Sequence, residues 1–170
     1  MRIALPIVFA LFSQTLWAEP VRCWYSPVGS DGLQAVEACA TQHTSGWQMQ
    51  PEHLSRLDFG TDGLAVVMIQ SQWHYVKTDG QLLAVQTLDN GPDDFSEGLV
   101  RGWVNGKLGY FDANLRPVIA AQYDFGWPAQ QGQVEVCQGC RFSQPDAEGR
   151  RGVIDGQWHS LAIPPQPSTP

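Results

Sequence analysis

The stretch "EGLVRGWVNGKLGYFDANLRPVIAAQYDF", residues 97–125, decides how this chain is read. Asn105-Gly106 at its centre is a strong two-residue hairpin signal, because both central positions of a type I′ turn need positive φ. "LVRGWV" before the turn and "LGYFD" after it are strand-like. "ANLR" turns again, and "PVIAAQYDF" is a third β-rich segment. Pro117 has no backbone N–H, so it suits the first residue of a strand or a sheet edge. The stretch predicts a three-stranded meander of roughly 35 residues, which cannot bury its apolar face alone.

Its landmarks recur along the chain. Asp31-Gly32-Leu33, Asp62-Gly63-Leu64 and Glu97-Gly98-Leu99 are similar triplets, and Gln131-Gly132-Gln133 is a fainter fourth. The glycines lie 31, 35 and 34 residues apart. Counting 26 residues forward from Gly32, Gly63 and Gly98 reaches Asp58, Asp89 and Asp124. Two landmarks with one internal distance in three copies argue for a repeat, and a period in this range implies stacked units. Tyr75 then corresponds to Tyr110, Val76 to Phe111, Leu83 to Val118 and Gly91 to Gly126. "GVID" (residues 152–155) corresponds to "GYFD" (residues 109–112), which gives the last copy about nine extra residues around its CxxC. "LQAVEACA" (residues 33–40) has some helical propensity but falls at a first-strand position, so it is read as strand.

The best copy resembles a WG-repeat (KWG-type) bacterial tile: E-G-L, a strand, N-G-K-x-G-[YF]-[IF]-D, then V-I-x-x-x-Y-D. The likeness covers about residues 31–165 and departs where the signature Trp-Gly is expected. That position reads Leu108-Gly109 here, Trp73-His74 in the second copy and Arg151-Gly152 in the fourth. The resemblance implies an all-β array of about four tiles, stacked like a solenoid or propeller, and a binding role with no catalytic residues. On this reading Gly32, Gly63, Gly98, Gly132, Asp58, Asp89, Asp124, Gly109 and Tyr110 are structural.

The N-terminus reads as an export signal. Met1-Arg2 precedes the apolar run "IALPIVFALF" and a polar segment ending at Ala18, where cleavage is expected. Ten apolar residues are too few to span a bilayer. Residues 1–18 are thus a signal peptide, residues 19–165 one domain, and residues 166–170 a flexible tail. Without Arg2 the mature chain carries nine basic against seventeen acidic side chains, a formal charge of −8. That argues against nucleic acid as a partner and against anionic membranes, while it attracts basic proteins.

Four cysteines in an exported chain read as two disulfides. Three connectivities exist, and the most local, Cys23–Cys39 with Cys137–Cys140, is preferred. "CQGC" could also be a redox pair, but that motif normally precedes a helix whose N-terminus lowers the thiol pKa. Here a strand precedes it and a turn-rich segment follows. A zinc site would need two further ligands, and only a distant residue such as His159 is on offer. His43, His53, His74 and His159 lie in no catalytic motif, although His43 and His74 share the first repeat spacing. Asp89, Asp93, Asp94 and Glu97 group in "DNGPDDFSEG" without EF-hand spacing, so solvated turns are expected rather than a calcium loop. No cofactor or metal is expected.

The function expected is non-enzymatic: an exported domain that binds another protein through its repeat surface and loops, in its sharpest form a basic periplasmic toxin or hydrolase inhibited as by an immunity protein. Trp103, Tyr123 and Trp127 are the candidate binding surface. The alternatives are a thiol-disulfide protein using Cys137 and Cys140, or a glycan-binding module presenting exposed aromatics on a groove. The oligomeric state is left open.

Overall fold

The computed structural model describes residues 19–44 and 46–165. The expected signal peptide and the 166–170 tail lie outside the described residues. The fold is all-β, and its main antiparallel sheet curls into a half-barrel. Its strands are β1 (Val21–Tyr25), β2 (Gln34–His43), β3 (Gly46–Met49), β4 (Leu64–Ile69), β5 (Gln72–Lys77), β6 (Leu82–Val85), β9 (Val100–Val104), β10 (Lys107–Phe111) and β11 (Pro117–Tyr123). Their order across the sheet is β11-β10-β9-β6-β5-β4-β1-β2-β3. A two-stranded ribbon, β7 (Thr87–Leu88) and β8 (Gly91–Pro92), links β6 to β9. A short helix, α1 (Pro51–Leu54), follows β3. A second sheet orders β12 (Phe125–Gly126), β13 (Gln133–Phe142) and β14 (Val153–Ala162).

Residues 33–40 enter β2 as expected, and Pro117 opens β11, an edge strand that tolerates its missing N–H. The two meanders read from the sequence are β4–β6 and β9–β11. Their hairpin turns use Gln70-Ser71 (φ 50° and 64°) and Asn105-Gly106 (φ 51° and 72°). The second turns also agree. The Lys77 N–H donates to the Gln81 carbonyl (2.9 Å) and Gly80 N–H to the Lys77 carbonyl (2.9 Å). At the same distances along the other meander, Asp112 N–H donates to Arg116 (3.0 Å) and Leu115 N–H to Asp112 (2.9 Å).

The meanders join edge to edge. Ala84 of β6 opposes Trp103 of β9 and Val85 opposes Gly102, so one sheet continues through both. The strand order is therefore that of one curled sheet plus a second small sheet, whereas four stacked tiles were expected. The free edge of the half-barrel turns back on itself, with Met49 N–H donating to the Gly80 carbonyl at 3.0 Å and Gln48 bridging Gln81.

Strand alternation sorts the apolar side chains into three clusters. Ala65, Val67 and Ile69 of β4 pack inside the curl with Tyr25, Met49 and Val76. Leu64 and Val66, on the other face, meet Tyr75, Val85, Val100 and Phe111. This double burial explains the uninterrupted apolar run of β4. Leu99, Leu108, Tyr110, Ile119 and Tyr123 form the third cluster with Val134 and Val136, and this seats the small sheet on the end of the large one. Each such fully buried side chain contributes about 1.5–3 kcal/mol.

Gly109 has a steric reason. A Cβ there would lie 2.7 Å from the Ile119 carbonyl oxygen and from Ala121 N, because β11 carries bulges opposite it. The β5–β6 ladder is regular at the corresponding position, and His74 fits. The other repeated glycines divide. Gly63, Gly98 and Gly132 have φ of 74°, 78° and 75° in turns that precede β4, β9 and β13. Gly32 is not left-handed, and Gly29 (φ 77°) takes that role in the 27–30 turn.

The aspartates divide as well. Asp124 accepts the Gly139 N–H at 2.5 Å and pairs with Lys107 at 2.6 Å, as a strand-closing group should. Asp89 sits at φ 51° in the β7–β8 turn, and Asp58 lies in the loop beyond Leu57. Residues 152–155 lie at the start of β14 (Val153–Ala162), whereas residues 109–112 lie at the end of β10 (Lys107–Phe111), so that correspondence is corrected. The long β13–β14 hairpin places its turn before the motif. Asp146 is the geometric match of Asp112, since each carboxylate accepts N–H groups two and four residues on.

Cys23 pairs with Cys39 and Cys137 with Cys140, each with Cα atoms 5.9 Å apart. Two disulfides, and no described helix long and apolar enough to cross a membrane, are consistent with an extracellular or periplasmic protein.

Candidate functional site

The small sheet builds the candidate site. Phe125 opposes Cys137, which opposes Trp158, and Glu135 opposes Ser160. The Trp127 N–H donates to the Glu135 carbonyl at 2.9 Å, continuing β12 by one residue. With side chains alternating, Phe125, Trp127, Glu135, Cys137, Trp158 and Ser160 share one face, while Val134, Val136 and Leu161 point to the core.

Four aromatic rings gather on that outer face. Phe125, 7% exposed, is the hub. Its ring centroid lies 5.0 Å from Trp127, 5.9 Å from Phe142 and 6.0 Å from Trp158, all edge-to-face. Trp127 and Trp158 are nearly parallel, 11° apart with centroids at 6.4 Å. They remain 50% and 43% exposed, and Phe142 46%. Exposed aromatic clusters are candidate contact surfaces, because Trp and other aromatics carry interface energy with little entropy loss.

Two open hollows flank the rings. One of about 680 Å³ runs beside Trp127, Ala129, Gln130, Gln133 and Ser96. The other, about 330 Å³, lies between Trp127, Trp158, Glu135, His159 and Ser160. The turns beneath the larger hollow are tied together. Gly132 N–H donates to the Glu97 carboxylate at 2.8 Å, and the Ser96 hydroxyl donates to the Ala129 carbonyl at 2.7 Å.

The face is held by buried polar bonds. Arg101, the second residue of β9, donates from Nε and Nη2 to the Asp93 carboxylate (3.0 and 2.6 Å) and from Nη1 to the Gly126 carbonyl (3.0 Å). Tyr110 donates to the Trp127 carbonyl at 2.7 Å, and burial raises its pKa. Tyr75 donates to the Asp93 carbonyl at 2.9 Å, and burial, with Asp94 and Asp93 adding charge, pushes its pKa up to about 12.

The candidate binding residues are placed unequally. Trp127 lies on the open face. Tyr123 is 7% exposed inside the third core cluster, so it is a packing residue. Trp103 is half-buried and lines a separate hollow of about 240 Å³ with Trp47 and His74. His74 is 2% exposed, its Nδ1 lies 2.9 Å from the Gln72 carbonyl, and burial lowers its pKa to about 4. His43 is exposed at the end of β2, so the shared spacing does not make the two histidines equivalent.

The acidic cluster is split: Asp93 is engaged by Arg101, Glu97 by Gly132, and Asp94 is exposed. Among the described residues no group of His, Cys, Asp and Glu is arranged to hold a metal. The Cys137–Cys140 pair lies within β13, with no helix following it, and Cys137 is wholly buried opposite Trp158. Gly156 lets β14 cross it, since a Cβ there would come within 2.6 Å of Gln138 O and Cys140 N. Trp158, Phe125, Phe142 and Glu135 were not singled out as site residues by the sequence. The available signal was period two, Phe125-x-Trp127 and Glu135-x-Cys137, but pairing across strands was needed to bring them together.

Comparison with protein-family models, curated proteins and solved structures finds no match.

Proposed function

We propose that the chain is an exported, non-enzymatic protein of the WG-repeat kind that binds a basic protein partner through the aromatic face, in the manner of an inhibitor of a periplasmic toxin or hydrolase. One observation carries the reading: Trp127, Phe142 and Trp158 stand exposed side by side around Phe125 on the small sheet. The acid excess of the mature chain favours a basic partner. The matching turns of β4–β6 and β9–β11 support descent from one repeated tile.

The test compares the mature chain with W127A/W158A, after their thermal unfolding is matched, against basic secreted toxins and hydrolases purified from the native host and its competitors. Stoichiometric binding that inhibits one of them, weakened at least 100-fold in the variant, is expected. Equal binding by both forms overturns the assignment of the face. The polar side chains beside Trp127, Gln130, Gln133 and Ser160, favour a glycan as the second reading. Binding to a polysaccharide or peptidoglycan array that the same variant loses would replace the protein partner with a sugar.

A further inference from the structure

Resting on that binding reading, we infer that Trp127, Trp158 and Glu135 form a clamp for a guanidinium group, so that the anchor of the basic partner is an arginine side chain held between the outward surface of the indole pair and the carboxylate.

Three observations converge. First, the two indoles stack on each other, 11° from parallel with centroids 6.4 Å apart, and about half of each residue is open to solvent, so the pair offers its outward surface to a cation. Indole faces carry negative quadrupole charge and attract cations, and a planar guanidinium lies flat on such a face where an ammonium cannot. Second, Glu135 lines the same hollow as both indoles, and its carboxylate makes no ion pair among the described residues. Its backbone carbonyl is fixed by the Trp127 N–H at 2.9 Å, so acid and indole are held in one register. Third, among the described residues no Lys or Arg fills the clamp. The described cation–ring contact is Arg56 over Tyr25 at 5.9 Å, and Arg141, on the same strand as Glu135, is engaged by Asp155 at 2.7 Å. Ser160, opposite Glu135, adds a hydroxyl acceptor for a remaining guanidinium N–H.

The probes are the peptide acetyl-Gly-Arg-Gly-amide and its citrulline counterpart, which keeps the shape and loses the charge. They are titrated into the mature chain while the indole Nε1–H signals of Trp127 and Trp158 are followed by NMR. The arginine peptide should shift both signals saturably, and the citrulline peptide should bind roughly 10- to 30-fold more weakly, the factor expected of a partly desolvated cation–π contact plus an ion pair. Glu135→Gln, a surface change, should remove most of that preference and flatten its salt dependence. Trp158→Phe, which keeps a ring, should weaken binding several-fold.

Equal response to the two peptides, or none at the two indoles, overturns the clamp. So does saturation by choline with no response to arginine, which would make the hollow a site for a small cation. A protein partner whose binding is lost in W127A/W158A yet unchanged in E135Q also overturns the clamp, while leaving the aromatic docking face in place. A partner indifferent to W127A/W158A removes the binding reading itself.

Discussion

Asp93→Ala removes the acceptor at the joint between the two sheets. The carboxylate and guanidinium are both buried, with 2% and 5% of their side chains exposed. The carboxylate accepts from Arg101 Nε, Nη2 and backbone N at 3.0, 2.6 and 3.1 Å. Its loss leaves the buried guanidinium with the Gly126 carbonyl at 3.0 Å as its acceptor among the described residues. Stranding one member of a buried pair costs about 3–5 kcal/mol. For a domain of this size each kcal/mol moves Tm by about 2–4 °C, so a fall of roughly 6–20 °C is expected. Urea unfolding followed by tryptophan fluorescence gives the free energy from the midpoint at constant m. Asp94→Ala, at the exposed neighbour, should stay within about 0.5 kcal/mol. The double change Asp93→Ala with Arg101→Met should cost less than the sum of the singles, because it strands no charge. A loss below about 1 kcal/mol for Asp93→Ala, or strict additivity in the double variant, refutes the reasoning.

Removing the disulfides should rank by loop length: C23A/C39A closes a separation of 16 and costs about 3 kcal/mol, while C137A/C140A closes a separation of 3 and costs about 2, both read by urea midpoint. Burial depresses the His74 pKa from 6.5 to about 4, so the unfolded chain takes the proton first. Its contribution is complete above about pH 6.5, falls as the pH drops toward 4, and reaches a loss of about 3 kcal/mol there. His74→Gln should therefore show a flatter decline than the wild type between pH 7 and pH 4.5. Gly156→Ala meets backbone on both sides at 2.6 Å and should cost more than 2 kcal/mol, whereas Gly106→Ala has open space and only its positive φ to oppose it, about 1 kcal/mol. Tyr110→Phe should cost about 1–2 kcal/mol in thermal unfolding, since it leaves the Trp127 carbonyl without its donor.

Local chemistry was legible in the sequence. Asn105-Gly106 carries its own turn, Pro117 its own edge, and an even cysteine count its local pairing, because each depends on residues close in the chain. Period two also told which side chains share a face. It could not tell which face is open, and so Tyr123, two residues before Phe125, was expected at the surface and lies in the core. Nor could it pair β6 with β9, which turns two meanders into one sheet. The Asp93–Arg101 pair was hidden for the same reason. An arginine in "LVRGWV" is read locally as an outward residue of a half-buried strand, and its burial follows only once β8, β9 and β12 are brought together.

That joint is also what gives the aromatic face its precision. Gly126 and Trp127 are consecutive, and each carbonyl is taken by a donor rooted in the large sheet, Gly126 by Arg101 and Trp127 by Tyr110. On the other side β13 takes the Trp127 N–H through the Glu135 carbonyl. The backbone under the first indole is thus fixed from both sides, and the second indole is set two strands away by the Cys137–Trp158 pairing. A binding face gains affinity when its anchors are ordered before the partner arrives. Under the proposed binding role, bonds this costly to strand serve to hold Trp127 in register with Trp158, since for stability alone an apolar substitute of equal volume would do as well. If so, Arg101→Met with Asp93→Leu should retain the fold and its Tm yet bind the partner more weakly, through a faster dissociation rate in surface plasmon resonance. An unchanged dissociation rate would assign the pair to the fold alone.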